Sequence, residues 1–308
     1  LLNERTITER LRGRIKIPSS SEVITGIGDD CAIYRPRGSA DDLLFTTDLF
    51  LENVHFLRET HKAADVARKA LVRSLSDIAA MGGAPRFCLA SVCLPKWATD
   101  RWINDFFDSL AAVAERHQTL LIGGDLARGE TFACDVTVCG AVPRGRALLR
   151  SGGRIGHDIY VSGKLGGSAL GLTKTGKARH RHLNPEPRLA LGQFIREKLR
   201  ATAAIDISDG LSLDLQRICL ASSIGADIVE PPRFPGATVD QALHGGEEYE
   251  LLFLVRGGTP VPSRFGDLPL TKIGTATSGV AGEIRLEGNP LPVRGFDHFS
   301  FGSQTASL

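Results

Sequence analysis

Five stretches of the chain carry acidic residues at the ends of segments: Gly28-Asp29-Asp30, Thr46-Thr47-Asp48, Ser76-Asp77, Gly123-Gly124-Asp125 and Asp206-Ile207-Ser208-Asp209. Apolar runs flank them, as in Leu43-Leu44-Phe45, Leu120-Leu121-Ile122 and Ala203-Ala204-Ile205. Singly, an Asp after a strand reads as a turn residue or helix cap, because its side chain satisfies orphan backbone N–H groups. Brought to one place, several such carboxylates repel one another and lose hydration unless cations sit between them. Hard oxygen ligands favour magnesium over zinc, and magnesium held this way handles phosphates. A shared metal site is the expectation; a set of separate caps is the alternative reading.

Other residues bear on the same chemistry. Gly26-Ile27-Gly28 and Gly123-Gly124 precede acids directly, and glycine lets backbone approach a ligand closely or take positive φ. Gly245-Gly246-Glu247-Glu248 repeats the arrangement near the other end of the chain. His55 follows the second acidic stretch closely enough for a substrate contact, against the ordinary reading of a satisfied structural histidine. Arg150, in an Arg- and Gly-rich segment, has the fork that meets a phosphate bidentately, or is a solvated loop cation. Gly171 to Lys177 matches most of a P-loop, but position 178 is Ala, so the magnesium-holding hydroxyl is missing. That segment reads as a basic surface loop.

The elements that must position these residues alternate in type. Leu43 to Thr47 reads as a strand. Lys62 to Met81 carries Val66, Ala67, Ala70, Leu71, Leu75 and Ile78 at helical spacing and stops at Gly82-Gly83, which puts Asp77 in the last turn. A carboxylate there opposes the helix macrodipole, a local cost that a bound cation offsets. Arg86 to Leu94, Thr119 to Ile122 and Phe132 to Val142 read as strands, with a Thr99-capped helix running to about His117. Pro143 to His157 separates two halves. Beyond it come strand Asp158 to Ser162, helices near Gly167 to Lys174 and Glu186 to Arg200, a strand ending at Asp206, and helix Leu211 to Ser222. Strands follow at Glu248 to Val255, Leu270 to Gly274 and Glu283 to Leu286, with Thr275 to Gly282 and the last residues expected to be mobile.

Composition narrows the class. The 308 residues suffice for two ordinary cores. A net charge of +2 with 6% aromatics, and basic residues dispersed, argues against a nucleic-acid partner. The six cysteines include no C-x-x-C pair and read as buried thiols of a reduced compartment. No apolar run approaches the roughly 18 residues of a membrane span, and Leu1 to Arg14 lack a signal-peptide core. A soluble cytoplasmic protein, with no membrane partner, is expected.

The ordered set Gly26-Ile27-Gly28-Asp29-Asp30-Cys31-Ala32, Thr46-Thr47-Asp48, Val54-His55-Phe56, Leu75 to Gly82, Leu121 to Asp125, Ile205 to Leu211 and Gly245 to Leu251 closely resembles the thiamine-monophosphate kinase family, of the aminoimidazole ribonucleotide synthetase-like superfamily. The likeness runs from about residue 24 to Phe299. It implies an α/β (α+β) fold of the two-domain PurM-like type, with residues 1–145 as an N-terminal mixed-sheet domain that dimerises and binds metal and ATP phosphate. Residues 146–308 would complete the ATP and substrate site. The implied reaction is transfer of the γ-phosphoryl group of ATP to thiamine monophosphate, with several magnesium ions and no general base.

Carried over by position, Asp30, Thr46, Thr47, Asp48, Asp77, Asp125, Asp206 and Asp209 would hold magnesium. Gly124, Asp125, Arg150 and Ser208 would contact ATP, and His55, Glu247 and Phe296 the thiamine substrate. Two departures from the family pattern stand out: Glu248 where Asp is usual, and Phe296 where Tyr or Trp is frequent. The chemistry agrees from below, because a phosphate monoester with a second pKa of about 6 is already largely ionised at neutral pH. Sister enzymes fit less well. The hydrogenase-maturation dehydratase would need a C-terminal cysteine, and selenophosphate synthetase a reactive cysteine before Cys31. A non-catalytic nucleotide sensor is a third reading, which the many retained carboxylates disfavour.

Overall fold

The structure, a computed structural model, describes residues 4–18 and 20–299. The expected mobility of the last residues and the expectations that rest on residue 308 fall outside them. Helix α1 (Glu4–Arg14) precedes strands β1 (Val23–Thr25), β2 (Ala32–Tyr34) and β3 (Asp41–Leu51). Helix α2 (Ala63–Ala80), β4 (Ala84–Leu94), α3 (Asp100–Arg116), β5 (Leu120–Arg128) and β6 (Ala133–Pro143) complete the first half. The second half runs β7 (Asp158–Ser162), α4 (Gly167–Thr173), α5 (Lys177–Leu183), α6 (Leu189–Glu197), β8 (Ala203–Asp206), α7 (Leu211–Ser222) and β9 (Gly225–Ile228). It closes with α8 (Val239–His244), β10 (Leu251–Val255), β11 (Arg264–Phe265), β12 (Leu268–Thr277), β13 (Ile284–Leu286) and β14 (Asn289–Pro290).

Two sheets organise the chain. One has strand order β1-β2-β3-β6-β4-β5, mostly antiparallel with a parallel β4–β5 pair. The other runs β14-β13-β9-β12-β7-β10-β8, with β11 on β12. In β6, Cys134, Val136 and Val138 alternate inward as a half-covered strand should, and α2 and α3 cover that face. Burial of α2 is nearly all round: Leu71, Leu75 and Ile78 face the first core, Ala79 and Ala80 a second cluster with Leu191 and Ile195. A helix buried on most sides sits between layers. Each of its large apolar side chains contributes about 1.5–3 kcal/mol by leaving water, and its C-terminal turn opens where the two sheets meet.

Several expectations change in detail. Strand β3 is longer than Leu43 to Thr47 because Asp41 to Leu51 pair continuously with β6. Gly123-Gly124-Asp125 lies inside β5, not beyond its end. The basic P-loop-like segment ends α4 at Thr173, crosses an exposed loop from Lys174 to Gly176 as expected, and enters helix α5 at Lys177. Thr275 to Thr277 belong to β12, and β9 and α8 were not foreseen. All six cysteines are free, and five are buried. Among the described residues no helix is long and apolar enough to cross a membrane.

Candidate active site

Three carboxylates converge where the sheets meet. Asp30 precedes β2, Asp77 lies in the last turn of α2 and Asp206 ends β8, and one ligand oxygen of each lies within 4.8 Å of the others. Charges about 5 Å apart at an effective dielectric near 20 repel by roughly 3 kcal/mol per pair. Burial, then Asp48, Asp206 and Asp30, push the Asp77 pKa well above its ordinary value. Burial, then Asp30, do the same to Asp206. Ser76 donates to Asp206 Oδ2 at 2.6 Å, tying the helix of one half to the strand of the other.

Pleating decides which β3 residues join them. Thr46 and Asp48 point toward α2: the Thr46 hydroxyl donates to Asp77 Oδ2, and Ser74 donates to Asp48 Oδ2 at 2.9 Å. Thr47 points to the opposite, open face, where its hydroxyl donates to Asp135 at 2.5 Å. Its side chain is not among the converging groups, because successive residues of a strand alternate sides.

Arg150 closes one side. Its Nη2 lies 2.6 Å and its Nε 3.3 Å from Asp30 Oδ1, and its backbone N–H donates to Asp29. Asp30 Oδ2 is buried with no hydrogen-bond partner. Buried polar atoms without partners are rare in folded proteins, and a bound ion is one explanation for such an atom. A convergent, mutually repelling, all-oxygen donor set with one such atom fits a hard divalent cation.

Asp209 and Asp125 stand apart. Arg217 binds Asp209 and Asp214 at 2.6 Å each. Asp214, absent from the sequence reading, is buried and accepts the backbone N–H groups of Ser208, Asp209 and Gly210 at 3.1 Å each. It therefore shapes the turn that presents Ser208. The sequence signal was available: an acid five residues after Asp209 in the first turn of a helix is placed to cap that turn.

Asp125 lies in register with Ser91, which pairs Asp135, which pairs Leu49. It is exposed on the open face, three strands from β3, about 14 Å at ordinary strand spacing. Gly124 is obligatory beside it, since a Cβ there would fall 1.8 Å from the Ala90 carbonyl oxygen. Exposed Leu49, Leu89, Leu120, Ile122 and Leu126 surround this region.

Arg73, 3.8 Å from Asp48, joins the carboxylates to a second group of side chains around His55 and Glu247. His55 is buried, stacks on Phe50 at 5.2 Å, and meets His298 edge-on at 5.2 Å, which in turn meets Phe296 at 4.7 Å. Burial, then Arg73, push the His55 pKa down to about 2, so the ring is neutral. Its Nδ1 accepts the Leu51 N–H at 2.9 Å, so the proton sits on Nε2, a buried donor without a partner. Glu247 supplies the complement. Lys69 binds its Oε2 at 3.0 Å, while its Oε1 is buried and unpartnered. Burial opposes its ionisation, yet Lys69, His182 and Arg73 prevail and hold it at about 2.

Glu248 turns away from His55 and toward α4 and α5. It accepts the Ser168 N–H at 2.8 Å and lies 3.4 Å from Arg181. Its extra methylene therefore acts on packing behind the site. The sequence reading also missed Lys69 and Arg73, which sit in helix α2 among apolar neighbours, and His182, which sits in the basic helix α5; none carries a motif.

Relatives agree with this architecture. Residues 28–142 match the family model "AIR synthase related protein, N-terminal domain". A hydrogenase maturation protein HypE in complex with ATP superposes with a TM-score of 0.65 at 17% identity, covering 87% of this chain and 88% of that one, which establishes the fold alone. The class is thus a mixed α/β protein of PurM-like fold with two sheets and a cluster of converging carboxylates. Thiamine-monophosphate kinase of Salmonella typhimurium is 38% identical, covering 92% of this chain and 94% of its own length. A solved structure described as AaThiL complexed with AMPPCP and TMP superposes with a TM-score of 0.84 at 28% identity, covering 97% of both chains. The chain belongs to the thiamine-monophosphate kinase family.

Proposed function

We propose that this chain transfers the γ-phosphoryl group of ATP to thiamine monophosphate, giving thiamine diphosphate and ADP. The observation that carries the reading is the convergence of Asp30, Asp77 and Asp206, with an unpartnered donor on His55 and an unpartnered acceptor on Glu247. Asp30, Asp77 and Asp206, with Asp48 and Thr46 alongside, would hold magnesium, which when bound neutralises phosphate charge during transfer. Arg150 would steady ATP phosphate oxygens beside Asp30. The turn held by Asp214 would present Ser208 to ATP and Asp209 to a cation.

The acceptor needs no general base, so no side chain has to remove a proton. Neutral His55 would donate from Nε2 and ionised Glu247 accept at Oε1, a pairing suited to an aminopyrimidine that carries both an acceptor nitrogen and an amino donor. Phe296, reached from His55 through His298, would supply a ring face. Incubation with ATP, magnesium and thiamine monophosphate tests the reading. Thiamine diphosphate with equal ADP, abolished by EDTA, is the expected result; ATP binding without diphosphate would favour the sensor.

We further propose a homodimer built on the open face and β5 edge of the six-stranded sheet, whose exposed apolar side chains are unusual for a free surface. Residues 1–145 would form the dimerising domain and 146–308 the second domain, in a cytoplasmic enzyme. Asp125 lies too far from its own chain's carboxylates to join them, so it and Gly124 would serve the partner's site. Mixing subunits carrying Asp125→Asn with subunits carrying Asp206→Asn should then restore up to about one quarter of normal activity, since half the dimers hold one complete site. No restoration after verified subunit exchange would place Asp125 in its own chain's site.

A further inference from the structure

The centre of α2 contains a lysine with no exposed surface. Lys69 is 0% exposed, and burying an ammonium is costly unless every proton finds a partner. Its Nζ meets Glu247 Oε2 at 3.0 Å and His182 Nε2 at 3.2 Å. His182 is itself buried, and its Nδ1 lies 3.0 Å from Ser168 Oγ. Ser168 in turn donates its N–H to Glu248. Glu247 has a left-handed backbone, φ 60°, and its N–H donates to Ser208 O at 2.7 Å. One carboxylate oxygen is thus held by a chain of groups running from α2 through α5 to α4, while the other is left free.

We propose that Lys69 is a positioning residue for the phosphoryl acceptor: by holding Oε2 of Glu247 it keeps Oε1, like Nε2 of His55, free of protein partners for the acceptor to meet. The inference rests on the reading of Glu247 as an acceptor contact. A purely structural ion pair would behave differently, because a buried pair exchanged for apolar groups of similar size is often neutral for stability and would leave substrate binding alone. Here the geometry leaves one oxygen without a protein partner, and an ion pair made only for stability would satisfy both.

A double-mutant cycle with K69M and E247Q tests this, read as separate KM values for thiamine monophosphate and ATP. K69M should raise the KM for thiamine monophosphate about thirtyfold and leave the KM for ATP within about twofold. E247Q should act similarly, and the double variant should be no worse than E247Q alone, since coupled residues are non-additive. An unchanged acceptor KM in K69M, or effects that multiply in the double variant, would overturn the proposal. K69M leaves Glu247 buried and unpaired; should it fail to fold, the double variant, which lacks both charges, is compared with E247Q, and any further rise in acceptor KM counts against the proposal. Turnover of thiamine monophosphate by the unaltered enzyme checks the acceptor reading separately.

Discussion

Replacing Asp206 by asparagine is expected to lower turnover about a thousandfold, the equivalent of about 4 kcal/mol of transition-state stabilisation lost with a metal-holding carboxylate. The same change should make the metal-free protein more heat-stable. Asparagine keeps the shape and an oxygen for the Ser76 hydroxyl, which now donates to Asp206 at 2.6 Å. It removes one of three like charges whose oxygens lie within 4.8 Å.

The pH dependence follows from the direction of the shift. Burial and Asp30 raise the folded-state pKa of Asp206 well above 3.8. Over the interval from that ordinary value up to the raised one, the native state keeps a proton that the unfolded chain has lost. Stability therefore falls as pH rises through this interval, and Asp77 adds to the slope in the same sense. Melting scans in EDTA should show Tm declining with pH in the unaltered protein and declining less in D206N. Magnesium should raise Tm most at high pH and least in the variant. Normal turnover in D206N, or a metal-free Tm below that of the parent, would sink the shared-carboxylate site.

The residues that converge were legible as sequence because strand and helix ends are marked by chemistry that survives without coordinates. Asp77 follows from the periodicity of α2 and the Gly82-Gly83 stop, and Asp206 from the apolar run before it. Faces and registers were less accessible. Thr47 shares a motif with Thr46 and Asp48, yet the period of two sends its hydroxyl to Asp135 on the opposite face. Asp125 reads like the other strand-end acids, but the order β3-β6-β4-β5 separates it from them, and strand order is a long-range property that no local pattern records. Lys69 was invisible for the opposite reason. A lysine on a helix is ordinarily solvated, and only the packing of α2 between layers buries it.

Substituting Arg150 by methionine is expected to reduce turnover with ATP about a hundredfold or more and to destabilise the metal-free protein by about 3 kcal/mol, the cost of leaving a buried charge without its partner. The backbone at this position should stay in place, since Ser222 donates to the Arg150 carbonyl at 3.0 Å and the Arg150 N–H donates to Asp29. What is lost is the guanidinium, whose Nε and Nη2 both address Asp30 Oδ1. Asp30 then faces Asp77 and Asp206 with no cation in its own protein environment. Magnesium should recover part of the lost stability by supplying positive charge, whereas the KM for ATP should stay raised because no other group takes the place of the fork. Arg150→Lys separates charge from geometry: it should retain much of the stability, since an ammonium can still neutralise Asp30, but recover little of the affinity for ATP, because a point charge does not reproduce bidentate contact. Steady-state kinetics against ATP, with melting scans with and without magnesium, measure both effects. An unchanged KM for ATP in R150M alongside the predicted destabilisation would make Arg150 a counter-ion for Asp30 alone and remove it from the nucleotide site.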